Sequence, residues 1–246
     1  MKKIHYILLF ISYLGFSQGV FERGNTYYKN GNYDKAIQAY ESILKSKKHS
    51  AELYFNIANA YYKKQNVAEA IYYYEKALQL KPNDANIKNN LEFAQKLAID
   101  DIKVVPDAGF SKILHTFTGF YPYDIWAIWA VFFSVLGLVS FIFYYFSMNI
   151  RVKQWFFGGI FIALFFMVIS VFASVFEQNF AKNTKIAIVF ADEVAIKNEP
   201  KTTAETTFTL HEGTKVYVLE TLDNWQKIQL TDKTIGWIES SAIKEL

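Results

Sequence analysis

NGNYDKAIQAYESIL (residues 30–44) and AEAIYYYEKALQLKP (residues 68–82) are two versions of one pattern. Matched positions fall 34 residues apart: Gly24 with Ala58, Tyr27 with Tyr61, Ala36 with Ala70, Tyr40 with Tyr74, and Ile43 with Ala77. Chance is a poor explanation for five such matches, and a period of this length signals stacked helical units. Small residues let paired helices approach closely, while the tyrosines fill the space between them. Pro82 follows the second unit, where it cannot continue a helix. A third unit begins at Ala85 but offers one helix, through Leu91 and Ala94 to Leu97. The expected array is therefore 18–50, 51–84 and a capping helix over 85–98. About three units are usually needed for stability, so the array is expected to lean on a partner, the membrane surface or another copy.

Upstream of the array, Lys2 and Lys3 precede the apolar run Ile4–Leu14, and the small residues Gly15 and Ser17 follow. Basic, apolar and small regions in that order predict a secretory signal over 1–17, cleaved after Ser17. An uncleaved anchor is the alternative. Downstream, no charge occurs from Ile125 to Ile150 or from Gln154 to Phe176. Each stretch exceeds the roughly 20 apolar residues that cross a bilayer. A buried soluble hairpin is the bland alternative, but FFSVLGLVSFIFYYF (132–146) has no polar face to turn to water. Transmembrane helices are expected over 125–147 and 154–176, joined by a loop at 148–153. Arg151 and Lys153 are the loop's only charges, while Asp124 and Glu177 mark the outer ends. Positive residues in short loops stay cytoplasmic, so both flanking domains are expected outside. Trp126, Trp129 and Trp155 suit the interfacial aromatic belt.

Between array and membrane, 99–124 reads as a linker. Phe110, Ile113, Leu114 and Phe117 recur in it at helical spacing. An interfacial helix resting in the headgroups and a linker turn packed on the repeats both fit that stripe. Beyond Lys182 the pattern changes to β-rich runs: KIAIVF, EVAIKN, TTFTL, TKVYVLE, NWQKIQL and TIGWI. Six short strands over 183–246 predict a small closed barrel, since an open sheet would need protected edges.

Several chemistries are not expected. The chain has no cysteine, which removes thiolate metal sites and cysteine catalysis, and its net charge of +3 comes with no basic, aromatic-interleaved stripe for nucleic acid. His49, His115 and His211 fall in different modules, so no metal or cofactor is expected. His211–Glu212 opens like a zinc-protease motif, but Lys215 stands where its second histidine belongs. Asp100–Asp101 reads as a solvated acidic pair. No charge within the spans marks an ion path, and no enzyme signature is present.

The repeat segment resembles the tetratricopeptide family. That resemblance implies a concave groove for an extended peptide or partner helix, lined here by Phe21, Asn25, Tyr28, Phe55, Asn59, Tyr62, Asn89 and Phe93. The amides of Asn25 and Asn59 would each offer a donor and an acceptor to a ligand backbone. A solvated helix face is the competing reading. Phe55 and Asn89 occupy the places of the basic residues with which some relatives clamp a terminal carboxylate. The C-terminal segment resembles the bacterial SH3-like family through AIKNEP (195–200), NW (224–225) and GWI (236–238). Such barrels often bind cell-wall peptides or other proteins. Trp225 and Trp237 read as fold-determining core, with a barrel ligand site as the alternative.

The fold class is therefore a multidomain membrane protein with an all-α tetratricopeptide array, two transmembrane helices and a small all-β SH3-like barrel. This order of modules resembles the BatE-like family of the Bat (Bacteroides aerotolerance) membrane system. The resemblance implies a non-enzymatic scaffold in the inner membrane, with both domains periplasmic. It also implies von Willebrand factor A-type membrane partners in envelope stress tolerance. The rival expectation is a sensor holding peptidoglycan peptides in the barrel.

Overall fold

A computed structural model describes residues 19–103, 105 and 109–246. The expected signal segment lies outside the described residues. The chain divides into two compact units, one combining the residues up to 106 with 185–246, the other comprising 107–184.

The first unit opens with helix α1, described over residues 19–29. It continues with α2 (Tyr33–Lys45), α3 (Ala51–Lys63), α4 (Val67–Leu80) and α5 (Ala85–Gln95). The ends follow capping chemistry. Ser50 accepts from Leu53 N, and Asp84 accepts from Asn86 N and Ile87 N. The turn inside each repeat needs a left-handed residue, supplied by Gly31 (φ 75°) and by its counterpart Gln65 (φ 61°). At Gly24 a Cβ would lie 2.8 Å from Tyr40 Cδ1, so the small residue is required by the neighbouring ring. Tyr40 and Tyr74 are fully buried, as their matched positions imply.

In the same unit, β1 (Lys185–Val189), β2 (Glu193–Lys197), β3 (Thr206–His211), β4 (Lys215–Leu222), β5 (Trp225–Gln229), β6 (Ile235–Glu239) and β7 (Ile243–Glu245) form one antiparallel sheet. Its order is β3-β2-β6-β5-β4-β1-β7. Seven strands are present where the pattern implied six, because three-residue β7 is too short to announce itself. Register shifts after Ile196 and Val218 bend the sheet, and Val189, Ile196, Val216, Ile228 and Ile238 pack into one core. The expected closure is corrected, since the end strands β3 and β7 do not pair among the described residues and the curled sheet is an open barrel.

The barrel packs on the repeats. Ile188 joins the apolar cluster of Ile71, Tyr74, Ile87 and Leu91, with Phe190 and Leu246 at its margin. Gly213, between β3 and β4, has φ +86°, and a Cβ there would lie 2.9 Å from Val67 Cγ1. The barrel backbone thus sits flush on α4. The expectation that the array leans on a partner, the bilayer or another copy is corrected: its own C-terminal domain covers it. Nor is the start of the 99–124 segment a free linker. Ile102 packs against the barrel core, and Val105 N donates to Thr231 O at 3.0 Å.

The second unit holds α6 (Phe110–Thr118), α7 (Tyr123–Phe146) and α8 (Ile150–Asn183). Helices α7 and α8 are long and apolar enough to cross a membrane. They pack through small residues, with a Cβ on Gly137 falling 3.6 Å from Ala163 Cβ, and through stacked Phe133–Phe166 and Phe143–Phe156. Most of their other apolar side chains are exposed. The turn between them is short: Asn149 caps α8 by accepting from Arg151 N at 2.9 Å. Arg151 and Lys153 therefore lie in the first turn of α8 rather than in a loop.

Candidate functional site

Two triads, related by the repeat offset, build the inner face of the array. Asn25 Oδ1 accepts from the Tyr40 hydroxyl at 2.7 Å and from Asn56 Nδ2 at 3.1 Å. Asn59 Oδ1 accepts from the Tyr74 hydroxyl at 2.6 Å and from Asn90 Nδ2 at 2.8 Å. Both lone-pair directions of each carbonyl are occupied. This corrects the expectation that these amides offer an acceptor to a ligand. Their carbonyls tie each repeat to its own second helix and to the first helix of the next unit. The buried surroundings of Tyr40 push its hydroxyl up to about 12, keeping it a donor.

A pocket of about 220 Å³ remains beside the first triad, lined by Asn25, Tyr28, Lys29, Tyr40, Asn56 and Asn59. Three of the expected groove residues, Asn25, Tyr28 and Asn59, meet here. Lys29 and Asn56 were missed, although the offset repeats them as Lys63 and Asn90. Phe55 instead lines a smaller pocket of about 110 Å³ with Glu52, Lys81 and the start of α5. Phe21 packs against Tyr40, Tyr62 is half-buried, and Asn89 and Phe93 are exposed. The eight residues thus do not converge on one cavity.

Trp225 and Trp237 are not core. Their positions alternate with buried Gln226, Ile228, Gly236 and Ile238, leaving both rings half-buried on the outer face. Lys227 lies opposite Trp237 in register, with Nζ 5.9 Å from the ring centroid. The small-barrel rule fails here because isoleucines fill the interior.

A polar latch joins the barrel to the end of the array. Asp100 Oδ2 accepts from His211 N at 2.7 Å and from the Thr214 hydroxyl at 2.6 Å, while its Oδ1 pairs with His211 Nδ1 at 2.8 Å. Burial alone would raise the Asp100 carboxyl, but these hydrogen bonds outweigh it and hold it below the ordinary aspartate range. The bond to Asp100 raises His211, with Glu193 adding to the effect. Asp100 is therefore not the solvated acid its linker position suggested. Nearby, Lys215 Nζ lies 2.7 Å from Glu75 Oε1. Burial opposes the ammonium, yet Glu75 carries its pKa upward. A cleft of about 690 Å³ opens between α5, residues 98–102 and β4. Its charges are largely spent on one another, as Glu92–Lys96 also is, so it defines no ligand chemistry. Among the described residues, no group of three or more His, Asp or Glu is placed to hold a metal ion.

Residues 21–85 match the family model described as Tetratricopeptide repeat, and residues 192–244 match that of Bacterial SH3 domain. Modules of both kinds typically serve in interactions rather than in catalysis. No curated protein matches the chain.

Proposed function

We propose that the protein is a membrane-anchored adaptor, not an enzyme, which holds an extended segment of a partner protein in the repeat groove. The pocket beside Asn25 carries this reading, since it combines an aromatic wall, Tyr28, with amide groups and the cationic Lys29. Peptide backbones are recognised by such polar groups on an aromatic surface. In this reading the export signal over 1–17 is removed, α7 and α8 cross the inner membrane, and Arg151 and Lys153 hold the turn on the cytoplasmic side. Repeats and barrel both lie in the periplasm. The connectivity supports this reading: the residues before and after the hairpin belong to one compact unit, as two spans with both ends on the same side would have it. The module order further supports a Bat-type envelope stress-tolerance complex with von Willebrand factor A-type partners.

Crosslinking of the full chain in native membranes, read by mass spectrometry, tests the groove. Asn25 and Asn59 are poor probes because they hold helices together. The Lys29→Glu variant, altering an exposed residue of the pocket, is expected to lose partner crosslinks while keeping its thermal midpoint. An unchanged set of crosslinked proteins would remove the groove from the mechanism. A second reading, a cell-wall peptide sensor, draws on the outward face shared by Trp225, Lys227 and Trp237. Retention of the full chain on purified peptidoglycan, abolished by Trp225→Ala/Trp237→Ala, would favour it.

A further inference from the structure

Helix α6 has three chemically different faces. Phe110, Ile113 and Phe117, at steps of three and four, are 79%, 59% and 69% exposed. About a third of a turn away, His115 and Thr118 face α8. There Glu177, itself buried, pairs with His115 Nδ1 at 2.9 Å and accepts from the Thr118 hydroxyl. His115 also stacks on Phe180 with centroids 4.0 Å apart. Trp126 Nε1 on α7 donates to the Thr118 carbonyl at 2.7 Å. Gly119 closes the helix where a Cβ would strike the His115 carbonyl at 2.6 Å. The remaining face carries the polar Lys112 and Thr116. The helix is thus held to α8 through its His115–Thr118 face, and the side chains of its apolar stripe are largely exposed.

We propose that this stripe is a lipid-contact surface, with α6 lying in the interfacial layer of the bilayer at the open end of the hairpin. The proposal rests on α7 and α8 crossing the membrane. Its depth follows from the anchor. At 1.5 Å per residue, Gln154 to Phe176 gives about 35 Å of uncharged helix, enough for the roughly 30 Å hydrocarbon core. Glu177, which fixes α6, begins the polar end containing Gln178, Asn179 and Lys182. A second copy is a weaker occupant: the three side chains of the stripe cover about 500 Å², short of the roughly 800 Å² per partner of a stable interface. One apolar, one anchored and one wet face suit a helix at a water–lipid boundary.

Because the chain contains no cysteine, single-cysteine variants report alone. Ile113→Cys, Phe117→Cys, Thr116→Cys and the mid-span Val168→Cys are made in the full chain. They are spin-labelled in vesicles of phosphatidylethanolamine and phosphatidylglycerol, and relaxation by oxygen and by a water-soluble nickel chelate is compared. Oxygen should dominate at 113, 117 and 168, and the ratio should reverse at 116. Nickel access at both 113 and 117, with 168 still in lipid, overturns the placement of α6 alone. Exclusion of both agents at 113 and 117 overturns it in favour of a protein cover. Nickel access at 168 sinks the spanning reading itself. Positions 113 and 117 are independent substitutions, so a folding defect in one leaves the other to decide.

Discussion

Asn25 and Asn59 carry more of the array's stability than of its recognition. Each carbonyl receives a tyrosine hydroxyl from its own repeat and an amide from the next unit. Asn59→Ala would leave the Tyr74 hydroxyl and Asn90 Nδ2 without their acceptor. The Tyr74 ring is buried, so the expected loss is about 1–3 kcal/mol, the range for an orphaned buried polar group. Thermal or denaturant unfolding of the full chain checks it, and a midpoint unmoved by the substitution would contradict the structural role. The 34-residue offset made Tyr40, Tyr74, Gly24 and Ala58 legible, because stacked units place equivalent residues in equivalent surroundings. It did not disclose the bonding of Asn25. That residue's amide partner, Asn56, sits 31 positions away on the next first helix, a relation between units rather than within the repeat. Lys29 escaped for another reason: an exposed lysine at a helix end resembles ordinary solvated surface until a pocket is seen beside it.

Between helices and strands, the contact of greatest consequence is the seating of the β3–β4 turn on α4 and on the tail of α5. No local spacing foretold it. Asp100 finds His211 at a separation of 111 residues and Thr214 at 114, with both apolar spans in between. The short apolar and β-branched runs, by contrast, predicted their strands well because alternation is a local signal. The latch gives this contact a pH dependence with a definite sign. His211 is raised above its ordinary 6.5, so its contribution is complete below that value and fades as pH rises through the folded value. Asp100 is lowered below its ordinary 3.8, so its contribution is complete above that value and fades only in stronger acid. Both are present together between about pH 4 and 6.5. The full chain is therefore expected to melt at a higher temperature at pH 6 than at pH 8.5. His211→Gln should flatten that difference while Asp100 and Glu193 remain in place. Identical pH slopes for the variant and the parent would rule the latch out as their source.

Considered together, the two stretches of chain on either side of the apolar hairpin form one compact unit, which chain order conceals. Reading along the sequence gives a repeat module, a linker, two spans and a barrel as beads in a row. Packing instead puts Ile188 of the barrel among Ile71, Tyr74, Ile87 and Leu91 of the repeats. Two repeats and one helix fall short of the roughly three that such arrays need, and the barrel supplies the missing neighbour. Cooperativity between them is the consequence to test. Ile228 is fully buried in the barrel core and makes no part of the repeat cluster. Ile228→Ala should cost about 2–5 kcal/mol through lost burial and the cavity left behind. If barrel and repeats open together, hydrogen exchange of the full chain should accelerate at the amides of Ile71 and Tyr74 in α4 as well as at Val216 and Ile238. Acceleration confined to the strands, with α4 as protected as before, would mean that the apolar seam is too weak to join them. Binding to the repeats would then have to pass to the strands across a flexible joint rather than through a single rigid body.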